Sequence, residues 1–390
     1  MMTSNDSSVV QPKTPNIIVF RDKLLLPSEG FIKTHYTAFD AANLVYLASH
    51  FGWRAAELDG QMMATASDSL RRFWFKQTGR TCILPDLNAL APQSVHAHFG
   101  RGGALALPLA EALGVPLFVT FHGGDATKET HQRRRLIPTI YQRRLSHLQS
   151  YASGFLCVSQ FVADRLAAQG FPKAKLITHY IGIDVSGMQQ PEQRQGRLLF
   201  IGRLVDKKGV DILLAAMRRL QQSESKIVPG LDIAGSGPLE AELRAQAADL
   251  PYVRFLGWQT PEQLSRILHK AQAVVVPSRI AADGDCEGLP TVVLESIRAG
   301  VPVVASDHAG IPEIIRHEET GFLVPENDPD ALAAALLAAN QTGDQMRQMV
   351  AQAQQRMQRD FNAAKQSQRL QQYLLGNITA DAAVSDYSVM

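Results

Sequence analysis

Three features of the sequence predict an α/β protein built from two Rossmann-like domains, each a doubly wound parallel sheet, facing each other across a cleft. The chain has 390 residues, longer than one hydrophobic core usually grows, so two domains are expected. Short apolar runs alternate with helix-length segments, the pattern of parallel strands joined by crossover helices. That rhythm breaks at "HYIGIDVSGMQQPEQRQG" (179–196), where Gly, Pro and Gln read as an interdomain linker.

The elements follow in order. Residues 1–15 are polar and expected to be disordered, and "NIIVFRD" at 16–22 is the first strand. "SVHAHFG", "PLFVTFHGGD" and "GFLCVSQ" continue a first domain over 16–185, with a linker over 186–196. The second domain, 197–376, repeats the alternation more cleanly. Its strands are "RLLFIGRL", "LDIAGSGP", "VRFLGW", "AVVVPS", "VPVVAS" and "GFLV", and its helices include "VDILLAAMRRLQQ", "PEQLSRILHKA" and "TVVLESIRAG". One or two long helices over 343–376 close the chain and pack back, and 377–390 is a loose polar tail.

Composition excludes several function classes. Hydrophobic residues make up 45% and charged residues 19%, ordinary for a globular protein, and the net charge of +2 provides no general field for nucleic acid. Cys82, Cys157 and Cys286 are too few for a disulfide framework, which points to a reducing cytoplasm. The N-terminal residues lack an apolar signal core, and no apolar run approaches the ~20 residues of a membrane helix. A soluble or peripherally attached protein is expected.

Three motifs in the second half carry chemistry. "FIGRLVDKKG" places Gly202 and Arg203 after a strand and Lys208 at a helix start. A guanidinium, an ammonium and helix amides together suit a diphosphate, although basic residues also solvate helix starts. "IAGSGP" adds Gly235 and Gly237, a glycine turn that either faces a nucleotide or is simply tight. It lacks the third glycine and the downstream acid of a dinucleotide fingerprint. In "EGLPTVVLESIRAG", Pro290 suits the first helical position and Gly300 the stop. The amides of Thr291 and Val292 would then be free for an anion. Glu287 and Glu295 would repel that anion, so they make sense as ligands of neighbouring hydroxyls.

Glu-x7-Glu downstream of Gly-Arg…Lys-Gly, followed by "AGVPVVASDHAGIPEII" and "TGFLVPENDPDAL", resembles the retaining glycosyltransferases of family four, with the GT-B fold. "VHAHFG" and "GVPLFVTFHGGDAT" extend the resemblance into the first half, toward bacterial enzymes of exopolysaccharide and colanic-acid-type synthesis. "PSEGFI" (27–32) is similar to their first loop but lacks its tandem glycines.

The resemblance implies transfer of a sugar from a UDP- or GDP-sugar to a glycan or polyprenyl-linked glycan, with retention of configuration. Arg203 and Lys208 would neutralise the donor diphosphate, and Glu287 would hold the sugar hydroxyls. Glu295 would take the ribose, and the Thr291 and Val292 amides the distal phosphate. Gly202, Gly235, Gly237 and Leu289 complete the donor side. His122 would close over the reacting sugar as a catalytic residue. Gly30, His98 and Asp125 fall on the acceptor side, with a satisfied structural histidine as the plainer reading of His98 and capping of the next helix as that of Asp125. No cofactor or metal is expected beyond the nucleotide-sugar. Transfer to a small soluble acceptor, or a non-catalytic nucleotide-sugar-binding subunit, are the alternatives.

Two metal patterns are weighed against this. Asp283-x-Asp285 in "DGDC" matches metal-dependent transferases of another fold, but Arg203 and Lys208 already supply the positive charge. His96 and His98 share a strand face without a third ligand in view, so zinc is not expected. Finally, "HQRRRLIPTIYQRR" (131–144) carries five arginines among apolar residues. It reads either as a solvated helix face or as a patch for an anionic membrane.

Overall fold

The structure, a computed structural model, describes residues 14–24, 30–128, 138–189, 196–223, 228–341 and 343–378. Two parallel sheets organise them. In spatial order the first runs Gln61–Ala64, Asn43–Ala48, Asn16–Phe20, Pro92–His98, Leu117–Phe121, Gly154–Cys157 and Leu176–Thr178. The second runs Val253–Gly257, Leu231–Ala234, Leu198–Ile201, Ala273–Val276, Val303–Ser306 and Phe322–Val324.

Each sheet begins at its middle, adds strands on one side, then returns to the start and builds the other side. That reversal opens a crevice beyond the carboxyl ends of the two central strands, where sheets of this kind bind ligands. In the first sheet those ends are Phe20 and His98, and in the second Ile201 and Val276. Helices cover both faces, so Ile17–Phe20 and Ala273–Val276 are buried throughout and read as continuous apolar runs.

Three strands of the first sheet, Asn43–Ala48, Gln61–Ala64 and Leu176–Thr178, are not singled out by the sequence. The first is a short apolar run, where periodicity does not separate a buried strand from a buried helix. The other two are short sheet edges.

The closing segment forms two helices, Asp344–Asp360 and Ala363–Leu374. Ile183 bridges the break between them: its N–H donates to the Phe361 carbonyl (2.8 Å) and its carbonyl accepts from the Ala363 N–H (2.9 Å). The last helix then lies against the first sheet, where Leu370, Tyr373 and Leu374 are buried with Phe118, Leu156 and Ile177. It thus packs on the first domain, although sequence order groups it with the second. Residues 1–13, 190–195 of the expected linker and 379–390 of the expected tail lie outside the described residues.

Candidate active site

The second domain builds a cationic cavity at its switch point. The chain leaves Leu198–Ile201 through Gly202 and Arg203, makes a tight turn over Asp206–Lys208 and enters the helix Val210–Gln222. Gly235 and Gly237 let the next loop lie directly on this turn. A Cβ at Gly235 would stand 1.8 Å from the Gly202 carbonyl oxygen, and one at Gly237 2.3 Å from that of Leu204. Their demonstrable work is to seat the turn that carries Arg203. Arg203 itself is exposed, and it lines a cavity of about 550 Å³ with Lys128, Lys207, Lys208, Asp206 and Asp285.

Carboxylates pair with the lysines of that cavity. Lys208 Nζ lies 2.9 Å from Glu287, and Lys207 lies 3.3 Å and Lys128 3.1 Å from Asp285. Burial works against the Glu287 charge, but Lys208 and Lys207 outweigh it and hold the carboxyl below its ordinary range. For Lys207, burial is likewise overcome, here by Glu287 and Asp285, and its ammonium is held above the usual lysine range. Asp283 accepts the Asp285 N–H (3.0 Å), so the Asp-x-Asp pair is engaged by a backbone amide and two lysines.

His308 and Arg279, which no sequence motif singles out, hold the Glu287 segment in place. His308, buried at the end of Val303–Ser306, lies 2.6 Å from Glu326 through Nδ1 and accepts the Glu287 N–H at Nε2 (3.3 Å). Arg279 pairs with Asp206 and Asp211, and Asp206 also accepts the Ala282 N–H (3.0 Å). This network ties the loop before Glu287 to the turn before Lys208. "ASDHAG" showed a histidine after a strand, but only the fold reveals what it faces.

Glu287 precedes the helix Thr291–Arg298, and Glu295 lies in its second turn. Pro290 is its N-cap, with extended backbone at ψ 112°, not its first helical residue as expected. Gly288 and Leu289 are packed against the other domain and Gly310, which keeps the chain extended one residue further. The first backbone bond of the helix runs from the Val293 N–H to the Pro290 carbonyl (3.1 Å), which leaves the Thr291 and Val292 amides ahead of it. Glu295 is largely shielded, and burial pushes its carboxyl above the ordinary range despite a hydrogen bond from Thr291 and the charge of Lys208. With Thr291 and Leu294 it lines a second cavity of about 250 Å³ shared with Gly30, Phe31 and Ile183. Gly30 and Glu295 thus line one cavity from opposite sides of the domain boundary.

The first domain contributes His122, at the end of Leu117–Phe121. Its ring lies between Phe31 and Phe99, with centroids 4.7 and 4.5 Å away. Nε2 is 3.1 Å from His98 Nδ1, and Nδ1 is buried. The ring thus packs within its own domain, against Phe31, Phe99 and His98. His98, expected to line the acceptor cleft, is fully buried between His122 and the Tyr36 hydroxyl (2.7 Å). Burial lowers the basicity of the neighbouring imidazoles, His96 to about 3 and His179 to about 4. Asp125 accepts the Gly100 (3.0 Å) and His122 (2.9 Å) backbone N–H groups. It fixes the histidine loop and accepts the first amide of the helix Gly100–Leu113, which precedes it in the chain, instead of capping the next helix as the plainer reading had it.

The domains meet at this loop. A Cβ on Gly123 would lie 2.5 Å from the Gly288 nitrogen, and one on Gly288 2.3 Å from the His122 carbonyl oxygen. The Ser159 hydroxyl donates to the Gly288 carbonyl (3.1 Å), and Glu313 accepts the Gln160 (2.8 Å) and Phe161 (3.0 Å) amides at a first-domain helix start.

Of the basic stretch 131–144, residues 131–137 lie outside the described residues. Arg144 is committed to the Ala104 and Gln77 carbonyls (both 2.8 Å) and Arg143 to the Gln77 side chain (2.9 Å). They clamp the helix Ile140–Tyr151 to Ser69–Thr78, which carries the exposed Leu70, Phe73 and Trp74. No helix among the described residues is long and apolar enough to cross a membrane.

Two doubly wound domains meeting over a cation-lined switch point define a GT-B protein. The comparisons agree: residues 188–356 match the model "Glycosyl transferases group 1" and residues 61–186 match "Glycosyltransferase Family 4". The two glycosyltransferase models thus match both domains of the chain in turn. It is 34% identical over 274 residues to the amylovoran biosynthesis glycosyltransferase AmsK of Erwinia amylovora, covering 68% of this chain and 65% of that protein. It is 32% identical over 279 residues to the putative colanic acid biosynthesis glycosyltransferase WcaL of Escherichia coli K12, covering 68% and 66%. The chain therefore spans just under two thirds of the length of these relatives. Among solved structures, Anabaena Alr3699/HepE in complex with UDP superposes with a TM-score of 0.72 at 16% identity, over 93% of this chain and 100% of that one.

Proposed function

We propose that this chain transfers a sugar from a UDP- or GDP-sugar to a hydroxyl of a glycan or polyprenyl-linked glycan in polysaccharide assembly, with retention of configuration. The observation that carries the reading is the cavity at the second switch point, where Arg203 and Lys208 converge and Lys208 pairs with Glu287. The names of AmsK and WcaL support the polymer context, and the UDP in HepE supports the donor class.

In this reading the departing diphosphate takes Arg203 and Lys208, which stabilise the charge that develops as the glycosidic bond breaks. Lys208 then releases Glu287 to accept hydrogen bonds from the sugar hydroxyls. Glu295 takes the ribose, and the Thr291 and Val292 amides take the distal phosphate. In the family's front-face mechanism, the leaving phosphate assists deprotonation of the acceptor hydroxyl. His122, at the end of Leu117–Phe121, would close over the reacting sugar from the first domain. Product formation from UDP- and GDP-sugars with lipid and oligosaccharide acceptors tests the proposal, with Lys208→Ala as the control. Nucleotide binding without transfer to any acceptor would favour a non-catalytic subunit instead.

A membrane-surface setting is part of the proposal. Leu70, Phe73 and Trp74 are 67%, 55% and 57% exposed on one helix, beside Arg71 and the clamp made by Arg143 and Arg144. Large apolar side chains among arginines suit the interface of an anionic bilayer, where a lipid-linked acceptor would be presented.

A further inference from the structure

The first domain gathers His35, His96, His98, His122 and His179 around its own switch point. Of these, sugar transfer as proposed above calls directly only on His122. Three of them, His35, His98 and His122, each place a ring nitrogen so that all three atoms lie within 4.8 Å of one another. We propose that His35, His98 and His122 form a binding site for one first-row divalent cation, zinc or cobalt in character.

Distances favour a shared ion. Imidazole nitrogens on one tetrahedral zinc, each at ~2.0–2.1 Å, lie ~3.3 Å apart. His98 Nδ1 and His122 Nε2 are already 3.1 Å apart. His35 closes the set with a side-chain movement of at most about 1.5 Å, since its nitrogen is within 4.8 Å of the others. His35 is 4% exposed, and its Nε2 is buried with no hydrogen-bond partner. A metal ligand resolves that cost, because a buried ring nitrogen without a partner is unfavourable.

The surroundings also fit. A ligating histidine characteristically gives its other N–H to an acceptor that fixes its tautomer. The Tyr36 hydroxyl lies 2.7 Å from His98 Nε2 and 2.7 Å from His96 Nδ1, and His96 Nε2 lies 2.7 Å from Thr120 Oγ1. Protons running from His98 Nε2 to Tyr36, from Tyr36 to His96 and from His96 to Thr120 leave His98 Nδ1 bare, facing His122. An all-imidazole set selects zinc, cobalt, nickel or copper over magnesium and calcium. The ion would join the turn after the helix Gly30–Thr34 to the ends of Pro92–His98 and Leu117–Phe121, clasping the loop that meets Gly288.

The test uses the full-length protein, freed of any affinity tag and stripped with chelator, then titrated with cobalt(II). The expected result is one cobalt per chain with the intense visible ligand-field bands of low-coordinate cobalt, displaced by zinc. His35→Gln should abolish the bands, and Tyr36→Phe should weaken binding roughly 10- to 100-fold. Nucleotide binding at Arg203 and Lys208 should be unchanged in both variants, which separates this site from the proposed transfer site. Absence of the bands in the wild-type protein overturns the proposal whether or not the variants fold. Bands that persist undiminished in His35→Gln overturn it as well, because the cobalt would then sit elsewhere.

Discussion

Lys208 Nζ and Glu287 Oε1 stand 2.9 Å apart, and both side chains are largely buried, 16% and 11% exposed. The cation expected on the diphosphate and the carboxylate expected on the sugar are therefore each other's partners. Glu287→Gln leaves Lys208 shielded and unpaired, which should cost about 3 kcal/mol in denaturant unfolding. Transfer should fall on the order of 100-fold, while affinity for the nucleoside diphosphate holds or rises because Lys208 is freed. A variant with wild-type turnover would contradict the assignment.

The two glutamates should respond to pH with opposite signs. The folded-state pKa of Glu287 is lowered, so its contribution is present above the ordinary carboxyl value of 4.5 and is lost as pH falls through the folded value. That of Glu295 is raised, so its ionisation destabilises the fold as pH climbs from 4.5 through the folded value. Glu295→Gln should therefore raise the melting temperature at neutral pH, and the gain should vanish below 4.5. The same variant should bind nucleotide more weakly if Glu295 serves the ribose. Unchanged nucleotide affinity would remove that role.

Gly288 admits no side chain where the domains meet, since its Cβ would lie 2.3 Å from the His122 carbonyl oxygen. Backbone atoms on both sides leave little room to yield. Gly288→Ala should wedge the domains apart, increase the radius of gyration in solution scattering and reduce transfer at least tenfold, roughly the effect of a misplaced catalytic group. Far-ultraviolet dichroism should stay unchanged. A closed, fully active Gly288→Ala protein would show that this contact is dispensable.

Membrane docking through the helix Ser69–Thr78 is testable by flotation. Wild-type protein should float with vesicles containing anionic phosphatidylglycerol and remain behind with neutral ones. The double variant Phe73→Ser, Trp74→Ser should lose most of that binding without loss of stability, because both side chains are more than half exposed. Equal flotation of wild type and double variant would rule this face out.

Most of the second domain is legible in the sequence, because each of its strands is a short apolar run bounded by turns and each helix shows its period. The first domain is less so: Asn43–Ala48 is a short apolar run that suits a buried helix as well as a strand, and Gln61–Ala64 is a partly exposed edge. Within the site, Arg203, Lys208 and Glu287 are readable because the motif keeps them close to glycines at strand ends. His308 and Arg279 are not, since their partners Glu287, Glu326, Asp206 and Asp211 lie 18 to 73 positions away and are brought close only by the fold. His98 is visible as a strand-end histidine, but its burial comes from Tyr36 and His122, on other elements. Pro290 sits one residue off its expected place because contact with the other domain, not helix preference, sets where that helix begins.

Whether Arg203 and Lys208 hold a nucleotide-sugar is decided by a binding titration of UDP-, GDP- and ADP-sugars against the wild-type chain, Arg203→Ala and Lys208→Ala. Arg203 is exposed, so its removal should leave the fold intact. One nucleotide class should bind the wild type, and each variant should lose roughly 10- to 150-fold in affinity, the worth of a charged hydrogen bond. No binding by any nucleotide-sugar, or equal binding by all three proteins, would contradict the account.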